Sequence, residues 1–416
     1  MSSGSGARWR GIVLMAGIMA GAAACAEPAA SGSPPDDPAP HPLSVWVDAA
    51  LARDPAQDLL PALSRESQAL AQRSRSWFAG PPALALHWQD DTAWTDAGLR
   101  EAEAGVEWPL WWPSVREATR SLARASAAQA ALRSRYNRWQ AAGVIRERLW
   151  SLALADADLA QARAAERSAT QLHEQVLARV RAGDLAQTDQ LMSEQERLAR
   201  EAERAALARE SDAQRAGFRF LVGLEPDVRG LTAEAPAQTA VDAHPGLAVW
   251  AQEASRAEAE WQQRLAEGAG APVVQVGTRR ERGSRDEDDV NSLGVGVSIP
   301  FAAATRADER AAAERASAEA RLRWRQGIRD QAVARQEAEA ALQSAEEAWP
   351  LIQRRGALAQ RQQDLAQAAF AAGELDLMDL LRIREQTRLA VQEVERQRIR
   401  IGWQRARLNQ IMGDVP

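Results

Sequence analysis

The sequence of 416 residues contains a single cysteine, Cys25, a single tyrosine and no lysine. One thiol excludes a disulfide framework and any cysteine-based zinc site. The four histidines, His41, His87, His173 and His244, stand apart, with no partner at metal-ligand spacing. Gly-rich phosphate loops, nucleophile elbows and paired-cysteine motifs are missing as well. Aspartate and glutamate abound, but at helical spacing among arginines, the pattern of solvated salt-bridge faces. The chain therefore reads as a non-enzyme with neither cofactor nor metal. Its net charge of −6 lacks the basic footprint of a nucleic-acid binder. After residue 24 no run approaches the ~20 apolar residues of a membrane-spanning helix. A mean hydropathy of −0.40 fits a helix-rich chain surrounded by water.

What is present starts at the N-terminus. Arg8 and Arg10 precede an apolar run from Gly11 to Ala24, which ends in three alanines before Cys25. A charged start, a short apolar stretch and a small-residue end make residues 1–24 a secretory signal. Its removal takes away two arginines and no acid, leaving a more acidic chain. Small residues before a cysteine resemble a bacterial lipobox, in which Cys25 becomes a lipidated N-terminus. Ala22 stands where leucine is usual, and plain cleavage after Ala24 is the other reading. Ala26 behind the cysteine resembles the pattern of lipoproteins sorted to the outer membrane. Residues 25–42, rich in Pro, Ser, Ala and Asp, read as a flexible tether.

From residue 43 the chain is written twice. Asp54-Pro55 matches His244-Pro245, Pro82 matches Pro272, Ala182-Gly183 matches Ala372-Gly373 and Leu221-Val222-Gly223 matches Ile411-Met412-Gly413, each 190 residues on. Gly105-Val106-Glu107-Trp108-Pro109 matches Gly296-Val297-Ser298-Ile299-Pro300 at 191. Five matches in register indicate a duplicated unit: 43–223 and 246–416, joined by a linker at 224–245. Each unit predicts a leading helical stretch (43–78, 246–268), a strand pair (82–89 with 102–109, 272–280 with 291–299) and a helical hairpin (113–222, 302–412). A hairpin arm of about 70 residues is about 105 Å long, so it would lie beside the return helix and the leading helix stacked end to end. Small and apolar residues recur at three- to four-residue spacing, as Val115, Leu122, Leu132, Tyr136, Trp139, Ile145, Leu149, Leu152 and Leu159 illustrate. That is the narrow seam of antiparallel coiled coils. Glycines at 183 and 373 should turn the hairpins with left-handed backbone.

The strands decide the environment. Gly294 to Ile299 alternates apolar residues with glycine or serine, and the strand lengths suit the ~9–11 residues of a tilted outer-membrane strand. Trp88, Trp94, Trp108, Trp111 and Trp112 cluster around the first strand pair, where an interfacial aromatic belt would put them. The loops carry Asp90, Asp91 and Asp96 in one pair and residues Arg279 to Asp289 in the other, as solvated loops would. Four strands cannot close a barrel, since about eight are needed to surround even a packed interior. Open sheet edges do not persist in lipid, so strands in a membrane require several copies of the chain.

The signal, the doubled strand-pair and long-helix unit, and the turns Ala182-Gly183-Asp184-Leu185-Ala186-Gln187-Thr188-Asp189 and Ala372-Gly373-Glu374-Leu375-Asp376-Leu377-Met378-Asp379 resemble the TolC family of outer-membrane channels. The resemblance spans about 43–416. It implies a mainly α fold with a small β part, in a homotrimer whose strands form one 12-stranded barrel above a periplasmic helical tunnel. It also implies outer-membrane lipid, a periplasmic adaptor and an inner-membrane pump as partners, the pump supplying the energy. Gly183, Thr188, Asp189, Gly373, Asp379 and Arg382 would lie at the periplasmic tip, where the adaptor docks and the channel closes. In a well-known secretion channel of the family, a tyrosine and an arginine of the second turn bond to the first. Phe370 and Leu375 occupy those positions here, so closure needs another contact, and an Arg382–Asp379 pair has suitable spacing. The rival reading is a soluble periplasmic coiled-coil scaffold or adaptor.

Overall fold

The computed structural model describes residues 42–228, 231, 233–237, 243–268, 270–301 and 306–416. The signal segment, Cys25 and the tether up to His41 lie outside the described residues, as does part of the linker. The chain order is α1 (Leu43–Leu51), a 3-10 turn (Pro55–Asp58), α2 (Leu59–Arg75), β1 (Ala83–Asp90), β2 (Arg100–Pro109), α3 (Pro113–Ala182), α4 (Gln187–Val222), α5 (Pro245–Glu267), β3 (Val273–Arg282), β4 (Val290–Ser298), α6 (Ala307–Ala372) and α7 (Leu377–Ile411). Each strand starts and stops within two residues of its sequence expectation. The leading stretch 43–78 is not one helix. Pro55 holds Asp54 in an extended conformation, and the Asp54 carboxylate accepts from the Ala56 amide at 2.9 Å.

Proline begins the helices and glycine ends them. Pro113 and Pro245 occupy the first turns of α3 and α5, where a missing N–H costs nothing. Gly183 and Gly373 have φ of 83° and 79°, the left-handed values foreseen for the hairpin turns. Both close α3 and α6 identically. Gly183 donates to the Val180 carbonyl at 3.0 Å and Asp184 to Arg179 at 2.9 Å; Gly373 donates to Phe370 at 3.1 Å and Glu374 to Ala369 at 2.9 Å. These paired bonds satisfy carbonyls that a helix end would otherwise leave open.

Packing makes the two long helices unequal. In the half toward the turns α3 lies between α4 and α7, and in the half toward the sheet between α2 and α5. Helix α6 packs mainly on α7 and α5, and near its C-terminal end it also touches α3. Accordingly α3 buries 19 of its residues and α6 eight, most of those small. Where helices meet, tryptophan lies on glycine: a Cβ on Gly402 would sit 2.1 Å from the Trp150 ring, and one on Gly327 2.3 Å from the Trp250 ring. A helical glycine costs about 1 kcal/mol in propensity. Here it lets a large ring come up against the backbone of the next helix. Trp46 meets Phe218 edge to face, 5.2 Å between centroids, and with Val47, Ile145, Leu149 and Val222 ties α1, α3 and α4 together.

A Gly402→Val change should push Trp150 out of this contact and destabilise the protein by about 1–3 kcal/mol. The apparent melting temperature followed by helical circular dichroism is expected to fall accordingly, with the helix content before the transition unchanged.

Candidate functional site: the sheet faces and the hairpin tips

The four strands form one antiparallel sheet in the order β1-β2-β3-β4, and their register sorts residues onto two faces. On one face Leu84, Leu86 and Trp88 stand opposite Val106, Ala104 and Ala102. This row continues through Val276 and Thr278 of β3 to Val295 and Leu293 of β4. Leu84, Leu86, Trp88, Leu293, Val295 and Val297 are 63–74% exposed, so nothing among the described residues covers this face. The opposite face carries His87, Gln89, Glu101, Glu103, Glu107, Gln275, Arg279, Glu281 and Ser292. Arg279 Nε lies 2.8 Å from Glu101 Oε1. Ala85, Gly105, Gly277 and Gly294 align across the middle of this polar face. A Cβ on Gly277 would come within 2.8 Å of the Ala104 carbonyl, so only glycine permits the approach of β2 and β3. Strands β1 and β4 pair on one side only and leave a row of backbone groups open at each edge.

The five tryptophans fall at the two ends of the sheet. Trp88 donates to Asp90 at 3.1 Å, and Trp94 stands almost fully exposed in the β1–β2 loop. At the helical end Trp108 pairs with Val274, while Trp111 donates to the Ser76 carbonyl at 3.2 Å and Trp112 to Gly270 at 3.0 Å. Six residues of strand separate the levels of Trp88 and Trp108, about 20 Å, near the height of the apolar band of an outer-membrane barrel. The loops are tied to each other. Asp96 pairs with Arg285, and the Arg285 amide donates to the Ala97 carbonyl at 3.1 Å. Asp289 lies between Arg280 and Arg282, and its bond to the Arg280 guanidinium holds its carboxyl below the usual range.

At the tips the aspartates serve the turns. Asp189 Oδ2 accepts from the Ala186 amide at 3.2 Å, and Asp376 Oδ1 accepts from the Asp379 amide at 2.7 Å. Thr188 is exposed. The Arg382–Asp379 pair forms at 2.8 Å, but both residues belong to α7 and stand in solvent, so the pair joins no two hairpins. Among the described residues no hydrogen bond or ion pair brings Thr188 or Asp189 to Asp379 or Arg382. The hairpins are joined by other residues. Phe370, 3% exposed, sits with Leu172, Val176, Leu377 and Leu380 in a cluster drawn from both hairpins, with Leu375 at its edge. Arg179 of α3 lies over the Phe370 ring at 5.0 Å and donates to its carbonyl at 2.8 Å. Above it, Arg384 donates to the Ser168 carbonyl at 2.9 Å. Arg200 of α4 reaches Glu385 of α7 at 2.9 Å, and Arg388 reaches Glu203 at 3.3 Å. The Arg388 bond, with Arg200 beside it, holds the Glu385 carboxyl below its ordinary range. Sequence alone does not single out these arginines, since every helix repeats Arg and Glu at the same spacings.

A second polar hub joins the linker and the C-terminus to α3. Arg146, its side chain 4% exposed, pairs with Glu234 at 2.9 Å and Asp414 at 2.6 Å and donates to Gln410 at 2.7 Å. Removal of either carboxylate would leave a buried charge underpaired. Nearby, buried His244 caps α5: Nδ1 accepts from the Gly246 and Leu247 amides at 3.1 and 3.2 Å, and the ring packs on Trp139 at 4.9 Å. Both bonds need an unprotonated Nδ1, and burial lowers the pKa of the ring.

No helix of the described residues is long and apolar enough to cross a membrane. No protein-family model matches the sequence, and no curated protein does. Solved structures match closely in fold. The outer membrane protein VceC of Vibrio cholerae shares 15% identity over 89% of this chain and 96% of its own, with a TM-score of 0.71. The CmeC outer membrane channel of Campylobacter jejuni shares 13% identity over 89% and 85%, with a TM-score of 0.68. The open-state MtrE outer membrane channel of Neisseria gonorrhoeae shares 13% over 89% and 88%, with a TM-score of 0.63. The chain thus has the mainly helical fold, with a small antiparallel sheet, of these outer membrane proteins, the fold expected from the TolC resemblance.

His244 predicts a pH dependence. Its folded pKa lies below the ordinary 6.5, so below about pH 6.5 the unfolded chain binds a proton that the folded chain refuses. Stability should be constant above that pH and fall as the pH drops from 6.5 toward the folded pKa. Urea midpoints at pH 7.5 and 5.0 check this. His244→Asn, which keeps a capping acceptor, should lessen the difference.

Proposed function

We propose that this chain is the outer-membrane channel of a tripartite efflux system, a passive conduit from an inner-membrane pump and a periplasmic adaptor to the exterior. The observation that carries the reading is the sheet. Its apolar face is uncovered, its other face is polar, and aromatic residues mark both ends. That division suits a strand set with lipid on one side and water on the other. In water the same face would be an aggregation surface. The likeness of fold to outer membrane channels supports the reading, and a soluble scaffold leaves the apolar face unexplained.

Open edges in lipid require closure. Two copies would give eight strands, whose interior side chains alone would fill, leaving no room for a hydrated polar face. Three copies give twelve strands and a lumen, the homotrimer that the TolC resemblance implies. Residues 1–24 direct export, and lipid on Cys25 would add a second anchor. The turns at Gly183 and Gly373, with Thr188 and Arg382 exposed and Asp189 and Asp379 half-buried beside them, form the adaptor-docking tip. Energy comes from the pump, because the sequence offers no nucleotide loop and no catalytic constellation. Closure of the tip rests on Arg179 and the Phe370 cluster, which take over the work of the missing tyrosine and arginine, with the Arg200–Glu385 and Glu203–Arg388 pairs above them.

Fractionated cells should hold the protein in the outer membrane, released by detergent and not by salt; recovery from the soluble periplasm would overturn the reading. In planar bilayers Arg179→Ala should raise the conductance several-fold. Arg382→Ala should leave it at the wild-type value, since an exposed pair three residues apart is worth about 0.5 kcal/mol or less.

A further inference from the structure

Helix α6 carries a proline in its interior, Pro350, where its repeat equivalent α3 has Ala160, 190 residues earlier. Proline has no N–H, so it brings no donor to the Glu346 carbonyl four residues before it. Side chains of α7 hold α6 just ahead of this break. Gln397 donates to the Ala345 carbonyl at 2.7 Å, and Arg405 reaches the Glu346 carboxylate at 2.6 Å. Neither bonds the Glu346 carbonyl, which stays short of its helical donor.

Glu346 and Trp349 form one wall of a cavity of about 420 Å³. Trp150 of α3, Ile401 and Gly402 of α7 and Leu231 of the linker form the others. The volume lies in the range of small-molecule sites, about 300–1,000 Å³, and the walls are mainly apolar. The charged side chains that line it are already matched, Glu346 with Arg405 and Arg398 with Glu395. An ionic ligand would find no counter-ion there.

The indoles supply a second observation. Trp88, Trp111, Trp112, Trp139 and Trp403 each donate their N–H to a carboxylate or a carbonyl. Trp150 is only 5% exposed, yet its N–H has no hydrogen-bond partner among the described residues, and neither has that of half-buried Trp349. A buried indole N–H is usually bonded, and one left unpaired is costly. The cavity therefore combines aromatic walls, an unused donor on Trp150 and an underused acceptor on Glu346.

We propose that this cavity between α3, α6 and α7 binds a neutral, flat aromatic molecule that carries one hydrogen-bond acceptor and one N–H donor. The acceptor takes the Trp150 N–H, the donor serves the Glu346 carbonyl, and the ring lies among Trp150, Trp349 and Ile401. Bound there, the molecule touches three helices at once and braces α6 at its break. The first repeat has no counterpart, since Leu159 and Ala160 stand where α6 has Trp349 and Pro350. The site belongs to a single chain and does not depend on the channel reading.

Isothermal titration calorimetry of the detergent-solubilised protein tests it. The probe is carbostyril, a neutral bicyclic lactam with one N–H and one carbonyl. Saturable binding is expected above the linear heat of partition into detergent alone. N-methylcarbostyril, which lacks the donor, should bind about tenfold more weakly. Ile401→Trp fills the cavity and should abolish the saturable part. Pro350→Ala, at an exposed position, gives Glu346 its helical donor and should erase the difference between the two lactams without lowering the melting temperature. Absence of saturable binding to the wild-type protein, or undiminished binding to a folded Ile401→Trp protein, would overturn the site. Equal affinity of the wild type for both lactams, or a difference that persists in Pro350→Ala, would overturn the part given to the Glu346 carbonyl.

Discussion

The constraint on which this structure turns is the backbone hydrogen bonding of an unclosed sheet. Four strands leave β1 and β4 each with one unpaired edge, and the sheet turns a row of leucine, valine and tryptophan side chains outward without cover. In water the edges could be hydrated but the apolar face would be costly. In lipid the face is at home and the edges are costly, because hydrocarbon offers no hydrogen-bond partner. Closure by further copies satisfies both conditions together. The two long helices are unequal beside it: α3 is enclosed within the chain and α6 is largely exposed.

The duplication gives the molecule its economy. One plan, used twice, provides two hairpins with identical turn bonding and two strand pairs that join into one sheet. The two copies then diverged in what they bury. The polar contacts between hairpins run from Arg179 at the tip through the Arg200, Glu203, Glu385 and Arg388 group to Asp158, which accepts from Arg396 at 2.8 Å. Between the hairpins Trp150 lies on Gly402 and the Phe370 cluster fills the tip, with long arginines bridging them.

Much of the fold was legible in the sequence. Pro82 and Pro272, alternation near Gly294, and Gly183 and Gly373 marked the strand starts and the hairpin turns, since these residues act through local backbone geometry. The tryptophans of the first strand pair were visible for the same reason, their positions fixed by strand period. The break at Pro55 was missed within a stretch that otherwise reads as continuous helix. Candidate site residues were legible in part. Gly183 and Gly373 stand in their turns, and Asp189 caps one. The contacts that join the hairpins were not legible, because Arg179, Arg200 and Arg388 look like every other arginine on these helices.

The sequence by itself determined the repeat, the element order and the alternation of the strands, because each depends on neighbours a few residues apart or on a fixed offset. Only the tertiary structure decided that the two strand pairs share one sheet, that β2 and β3 approach on glycine, and that α3 is enclosed while α6 stands open. Those outcomes depend on which helix face meets which across more than a hundred residues of chain, and periodic Ala, Arg and Glu leave many such pairings equally compatible until side chains are packed.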